Sequence, residues 1–134
     1  MILELDFSAD VPIYLQIRNQ VVLGIAEGRL SAGEKLPTVR ALAQETGINM
    51  MTASKAYALL KQEGYIQGDR RSGAAVCGEG QGGVLGSGLG GGPVPGKLRQ
   101  DLKLLIAEAR LAGLAEQDFM ALCAQIYAEM EGAQ

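Results

Sequence analysis

Residues 47–64 read "GINMMTASKAYALLKQEG", and this stretch decides the fold. Asn49 is a strong helix N-cap and Gly64 a strong stop, so the spacing predicts a helix running to Glu63. Within it Ala53, Ala56, Tyr57 and Leu60 share one face, which leaves Met51, Ser54, Lys55 and Ala58 outward. The outward first turn offers small polar groups, one cation and flexible thioethers. Side chains of that kind let a second molecule come close to the helix backbone.

Upstream, "TVRALAQET" (38–46) predicts a second short helix with Val39, Leu42 and Ala43 inward and Gly47 as a left-handed stop. Residues 38–63 therefore form helix, tight glycine-containing turn and helix. Before them "PIYLQIRNQVVLGIAE" (12–27) spaces Ile13, Ile17, Val21 and Ile25 four apart, with proline suited to the first turn. The intervening "EGRLSAGEKLP" reads as a turn. After Gly64, "YIQGDRRSGAAVC" predicts two brief strands around a polar turn, Gly68–Gly73, that holds Arg70 and Arg71. The expected fold is mainly α with a small β wing: a winged helix-turn-helix domain over residues 1–77.

Residues 78–96 hold ten glycines in nineteen positions, too much backbone entropy for a packed element. They read as a linker with a coil span of roughly 24 Å. Residues 97–134 then predict an antiparallel helix pair turning at Gly113. Leu98, Leu102, Leu105, Ile106 and Ala109 align on the first helix. Phe119, Leu122, Cys123, Ile126, Tyr127 and Met130 align on the second, at alternating spacings of three and four. So small a pair cannot bury enough apolar surface alone, so it must dock. The expected dimer interface is Leu102, Leu105, Ile106, Phe119, Leu122, Ile126, Tyr127 and Met130.

Composition narrows the function. There is no histidine, which removes Ser/His/Asp and Cys/His catalysis and every zinc site that needs imidazole. No paired carboxylates, metal-ligand cluster or activated nucleophile stand at readable spacing, so neither an enzyme nor a cofactor is expected. Cys77 and Cys123 form no CxxC pair and read as two thiols in a reducing compartment, with a redox role left open. The opening "MILELDFSAD" has three acids and no early cation, which does not fit a signal peptide, and no apolar run approaches the ~18 residues of a membrane span. A cytoplasmic chain is expected.

The net charge of −3 hides a segregation. Lys35, Arg40, Lys55, Lys61, Arg70 and Arg71 outweigh Glu45, Glu63 and Asp69, so residues 35–71 carry +3 while each flanking segment carries −3. In a helix-turn-helix the second helix enters the major groove with its N-terminal residues at base edges. Thr52, Ser54 and Lys55 then suit phosphate or base-edge contacts, Met50 and Met51 could meet thymine methyls, and Arg40 should lie near the DNA backbone. Arg70 and Arg71 fit a wing reaching phosphates or the minor groove.

The pattern "PIYLQI…GRLSAGEKLPTVRALAQETGIN…T…KAY..L…EGYI…RRSG" resembles the N-terminal DNA-binding domain of GntR-family transcriptional regulators over about residues 11–76. The two-helix tail resembles the YtrA-type subfamily, whose small C-terminal module serves dimerisation. That resemblance implies DNA contacts from Thr38 and Arg40, from Asn49, Thr52, Ser54 and Lys55, and from Arg71 and Gly73. The chain departs from the usual family pattern in having Met50-Met51 for Pro-Asn and Ala53 for a β-branched residue. The implied function is a homodimeric, sequence-specific transcription regulator, a repressor, on a palindromic double-stranded DNA operator. The alternative is a protein-interaction module whose winged helix no longer reads DNA. A small-molecule effector is left open, as are its identity and the operator sequence.

Overall fold

The computed structural model describes residues 3–69, 73–77 and 94–132. The chain falls into two compact units, Met1–Ser87 and Gly88–Gln134, each considered by itself below.

The first unit is built on three helices, α1 (Ile13–Ala26), α2 (Val39–Thr46) and α3 (Met50–Gln62), followed by a two-stranded antiparallel hairpin, β1 (Ile66–Asp69) and β2 (Gly73–Val76). Apolar side chains from every one of these elements meet in a single core. Ile17 and Val21 come from α1, Leu42 and Ala43 from α2, and Ala53, Ala56, Tyr57 and Leu60 from α3. Ile66, Ala74 and Val76 close it from the hairpin, with Leu30 and Leu36 from the connecting segment. The face foreseen for α3 is the one that is buried, and Gly47 ends α2 in the left-handed conformation at φ 74°. Cys77 is buried beside this core, and burial pushes its thiol pKa up.

Three features went unforeseen. The segment between α1 and α2 is more than a turn: Lys35 bridges Ala75, and Leu36 N–H donates to the Ala74 carbonyl at 2.9 Å. Gly33 N–H donates to the Val76 carbonyl and Val76 N–H to the Glu34 carbonyl, each at 2.9 Å, so β2 is flanked on both sides. Secondly, the N-terminal residues lie along α1. Gln16 accepts from Asp6 N–H at 2.8 Å and returns a bond to the Asp6 carbonyl, while Gln20 does the same with Glu4. The two glutamines, one helical turn apart, thus stand in for a neighbouring strand, and Leu3 and Leu5 pack against the core. Thirdly, Arg18 of α1 forks onto Glu63 at 2.8 and 3.0 Å, with its guanidinium 5.6 Å from the Tyr65 ring centroid. That pair is half-buried and bidentate, and it clamps α1 to the far end of α3.

The second unit is α4 (Gly96–Leu111) and α5 (Glu116–Gly132), joined through Gly113 at φ 91°. The two helices touch, yet neither has a buried residue. Most of the expected linker, residues 78–93, lies outside the described residues.

Two glycines separate steric from conformational demand. A Cβ on Gly68 would sit 2.0 Å from the Gly73 carbonyl oxygen across the hairpin, whereas one on Gly47 would meet nothing within 4 Å. Gly47→Ala should therefore cost only the left-handed conformation, about 1–2 kcal/mol. Gly68→Ala should cost more, because two backbones must separate. Chemical denaturation of both variants checks the order; equal costs would mean the hairpin yields freely.

Candidate nucleic-acid interface

Thr38 is the N-cap of α2, its hydroxyl accepting from Ala41 N–H at 3.1 Å. Asn49 is the N-cap of α3, accepting from Thr52 N–H at 2.8 Å. Each cap satisfies an orphan donor and aims the first turn of its helix at solvent. The Asn49 amide nitrogen and the Thr38 hydroxyl proton are not consumed by these bonds. Between α2 and α3 runs a three-residue turn, Gly47–Asn49, in which Gly47 and Ile48 N–H both reach the Ala43 carbonyl.

The structure brings Arg40 and Asn49 together. Both line an open depression of about 430 Å³ between α2 and the start of α3, shared with Ala43, Gln44, Ile48 and Met50. Gln44 did not figure among the sequence candidates, although it stands four residues after Arg40, one helical turn along the same face. Met50 was named only as a base-contact option and proves to be part of this wall.

On α3, Met51, Ser54 and Lys55 are exposed and Thr52 is half-buried. Met51 stands clear of the protein at 83% exposure. Lys55 is not a loose surface cation. Its ammonium lies 4.1 Å from the centroid of the Tyr14 ring on α1. Sequence reasoning had no means of finding that pair, because the partners sit on different helices. Gly73 opens β2 at φ 73°, paired with Asp69. Arg70 and Arg71 lie outside the described residues.

Tyr57 organises the interface from beneath. It is 3% exposed, and its hydroxyl donates to the Pro37 carbonyl at 2.7 Å, one residue before the Thr38 cap. Burial first, and the Glu45 carboxylate second, push its phenol pKa well above the ordinary 10.0. The candidate dimer residues form a separate set on the second unit. Leu102, Leu105, Ile106, Leu122, Ile126 and Tyr127 are exposed, while Phe119 and Met130 are half-buried.

A helix-turn-helix backed by a third helix and edged by a two-stranded hairpin defines a winged-helix domain. Residues 13–76 match the family model of the bacterial regulatory proteins of the gntR family. Over 98% of its length the chain is 31% identical to the HTH-type transcriptional repressor YtrA of Bacillus subtilis (strain 168), covering 97% of that protein. The chain belongs to the GntR family, and it is a transcription regulator with that family's DNA-binding domain, not an enzyme. It is also 35% identical over 74 residues to the regulator Rv1152 of Mycobacterium tuberculosis, a match that spans 61% of that protein. A GntR family transcriptional regulator from Listeria monocytogenes superposes with a TM-score of 0.64 at 25% identity, over 89% of this chain and 98% of that one. The AraR DNA-binding domain, solved in complex with operator ORX1, superposes with a TM-score of 0.51 at 26% identity, over 56% of this chain and 96% of that one.

Tyr57→Phe should lower stability at neutral pH by about 1 kcal/mol, since the Pro37 carbonyl loses its donor. The native fold keeps the phenol protonated, so above pH 10.0 the unfolded chain alone releases that proton. Wild-type stability should therefore fall with rising pH from about that value, and the phenylalanine variant should lack this component. Denaturant titrations between neutral pH and pH 11 check it; parallel curves would contradict the burial argument.

Proposed function

We propose that this chain is a cytoplasmic, homodimeric repressor that reads a palindromic operator, one half-site per protomer. The observation that carries the reading is the start of α3, where Asn49 caps the helix and Met50, Met51, Ser54 and Lys55 stay exposed while Ala53, Ala56, Tyr57 and Leu60 are buried in the core. Thr38, Arg40, Asn49, Met51, Thr52, Ser54 and Lys55 are the contacts we assign to DNA, with Gly73 and the wing arginines Arg70 and Arg71 beside them. In that scheme Arg40 and Lys55 neutralise phosphates, the polar side chains of α3 meet base edges, and Met51 lies against an apolar base group such as a thymine methyl.

Two further facts support the finer points. Leu102, Leu105, Ile106, Leu122 and Ile126 present apolar surface on a hairpin with nothing buried, which suits packing against an identical copy. A two-fold pair then reads a two-fold sequence. YtrA, similar along the whole chain, is named a repressor, and the AraR domain was solved on operator DNA. The residues between the hairpin and α4, 78–95, would serve as the tether between reading head and dimer module, one residue shorter than expected because Gly96 already opens α4.

The test is footprinting of the purified chain on its own upstream DNA, with sedimentation under the same conditions. Dimers should protect two symmetric half-sites centred about one helical turn apart. Log K should fall with log salt by roughly 0.9 per contacted phosphate. The double variant Leu105→Glu, Ile126→Glu should sediment as monomers and lose operator preference. Monomers from the wild-type chain, or equal affinity for unrelated duplexes, would sink the proposal.

A further inference from the structure

Lys55 is the first cation on α3, and its surroundings set it apart from an ordinary surface lysine. A lysine on an open helix face samples many rotamers and gives up that freedom when it meets a phosphate. Here the ammonium already lies 4.1 Å from the Tyr14 ring centroid. The ring itself is fixed, because Tyr14 is half-buried and packed against the core from the first turn of α1. A π-face covers one side of an ammonium and leaves its remaining donors open, and Lys55 stays exposed to solvent.

We infer that Tyr14 is a positioning residue for DNA binding: its ring holds the Lys55 ammonium in place for a backbone phosphate. The inference rests on the DNA-contact reading above and extends the reading surface to α1, which has no part in a two-helix description. It carries a specific signature. Tyr14 is uncharged and releases no counterions, so it raises affinity without adding to the salt dependence. Lys55 does both.

The experiment measures binding of the full chain to its footprinted duplex by fluorescence anisotropy at several salt concentrations. Lys55→Ala should weaken binding and reduce the log–log salt slope by about 0.9. Tyr14→Leu, which keeps an apolar side chain against the core, should weaken binding about two- to five-fold with the slope unchanged. Tyr14→Phe should bind like wild type, because it keeps the ring. In the Lys55→Ala background, Tyr14→Leu should have no further effect.

Tighter or unchanged binding by Tyr14→Leu would overturn the inference, as would an equal loss with and without Lys55 or a Tyr14→Phe variant as weak as the leucine one. Should Tyr14→Leu fail to fold, the wild-type NMR spectrum decides: ring-current shifts on the Lys55 side-chain methylenes support the inference, and their absence overturns it. A wild-type chain that binds no duplex removes the DNA reading and this inference together. Loss of binding in Lys55→Ala alone removes only the role of Tyr14.

Discussion

The reading head depends on one hydrogen bond from a buried phenol. Tyr57 projects from the inner face of α3, and a hydroxyl in an apolar core must find an acceptor. It finds the carbonyl of Pro37, in the residue just before the α2 cap. The bond therefore joins the middle of one helix to the entrance of the other. Thr38, as the cap, inherits its position from Pro37, and Arg40 inherits its own from the turn that Thr38 begins. The depression shared by Arg40, Gln44, Asn49 and Met50 is the surface consequence of that internal tie.

Packing on the other side of α3 works through small residues. Ala53 and Ala56 are fully buried, and α1 packs across this helix with Ile17 and Val21 equally buried. Alanines at a helix contact permit short interaxial distances. Close approach is what allows Tyr14, at the front of α1, to reach over Lys55, and Arg18, a turn later, to grip Glu63. Aromatic and ionic contacts at the two ends fix how α3 is rotated and where it slides. The apolar contact between them supplies most of the adhesion.

Much of this was legible because it is local. Gly47 and Gly64 follow helices as stops, Asn49 and Thr38 precede them as caps, and the four-residue spacing in α1 names its own buried face. Each of those signals is decided by neighbours within one or two turns. What escaped the sequence is long-range. Nothing near Lys35 announces that its segment will lie beside Ala75, and nothing near Gln16 or Gln20 shows that their amides will hold Glu4 and Asp6. Gln44 was open to inference, because it follows Arg40 by one turn, but its importance depends on where α3 begins in space. The cation–aromatic pair of Lys55 and Tyr14 required knowing the rotation of α1, which periodicity leaves undetermined within the width of its apolar stripe.

The two units face opposite energetic situations, and the contrast argues for their roles. In the first, thirteen apolar residues among those described, drawn from all elements, fill one core, while Met50, Met51 and the capped helix starts stay exposed. In the second, Leu111 is 90% exposed, Leu104 62% and Leu105 56%, and the hairpin buries none of its leucines. Helix pairs of this length gain too little from each other to offset the conformational entropy of ordering them. Leu104 and Leu111 lie one heptad apart, and Leu105 stands about 100° around the helix from Leu104, so α4 is apolar on more than one side. A single neighbour helix can cover only one such side. A four-helix arrangement of two identical hairpins gives each helix more than one neighbour, and with it a place for apolar surface that α5 alone leaves open.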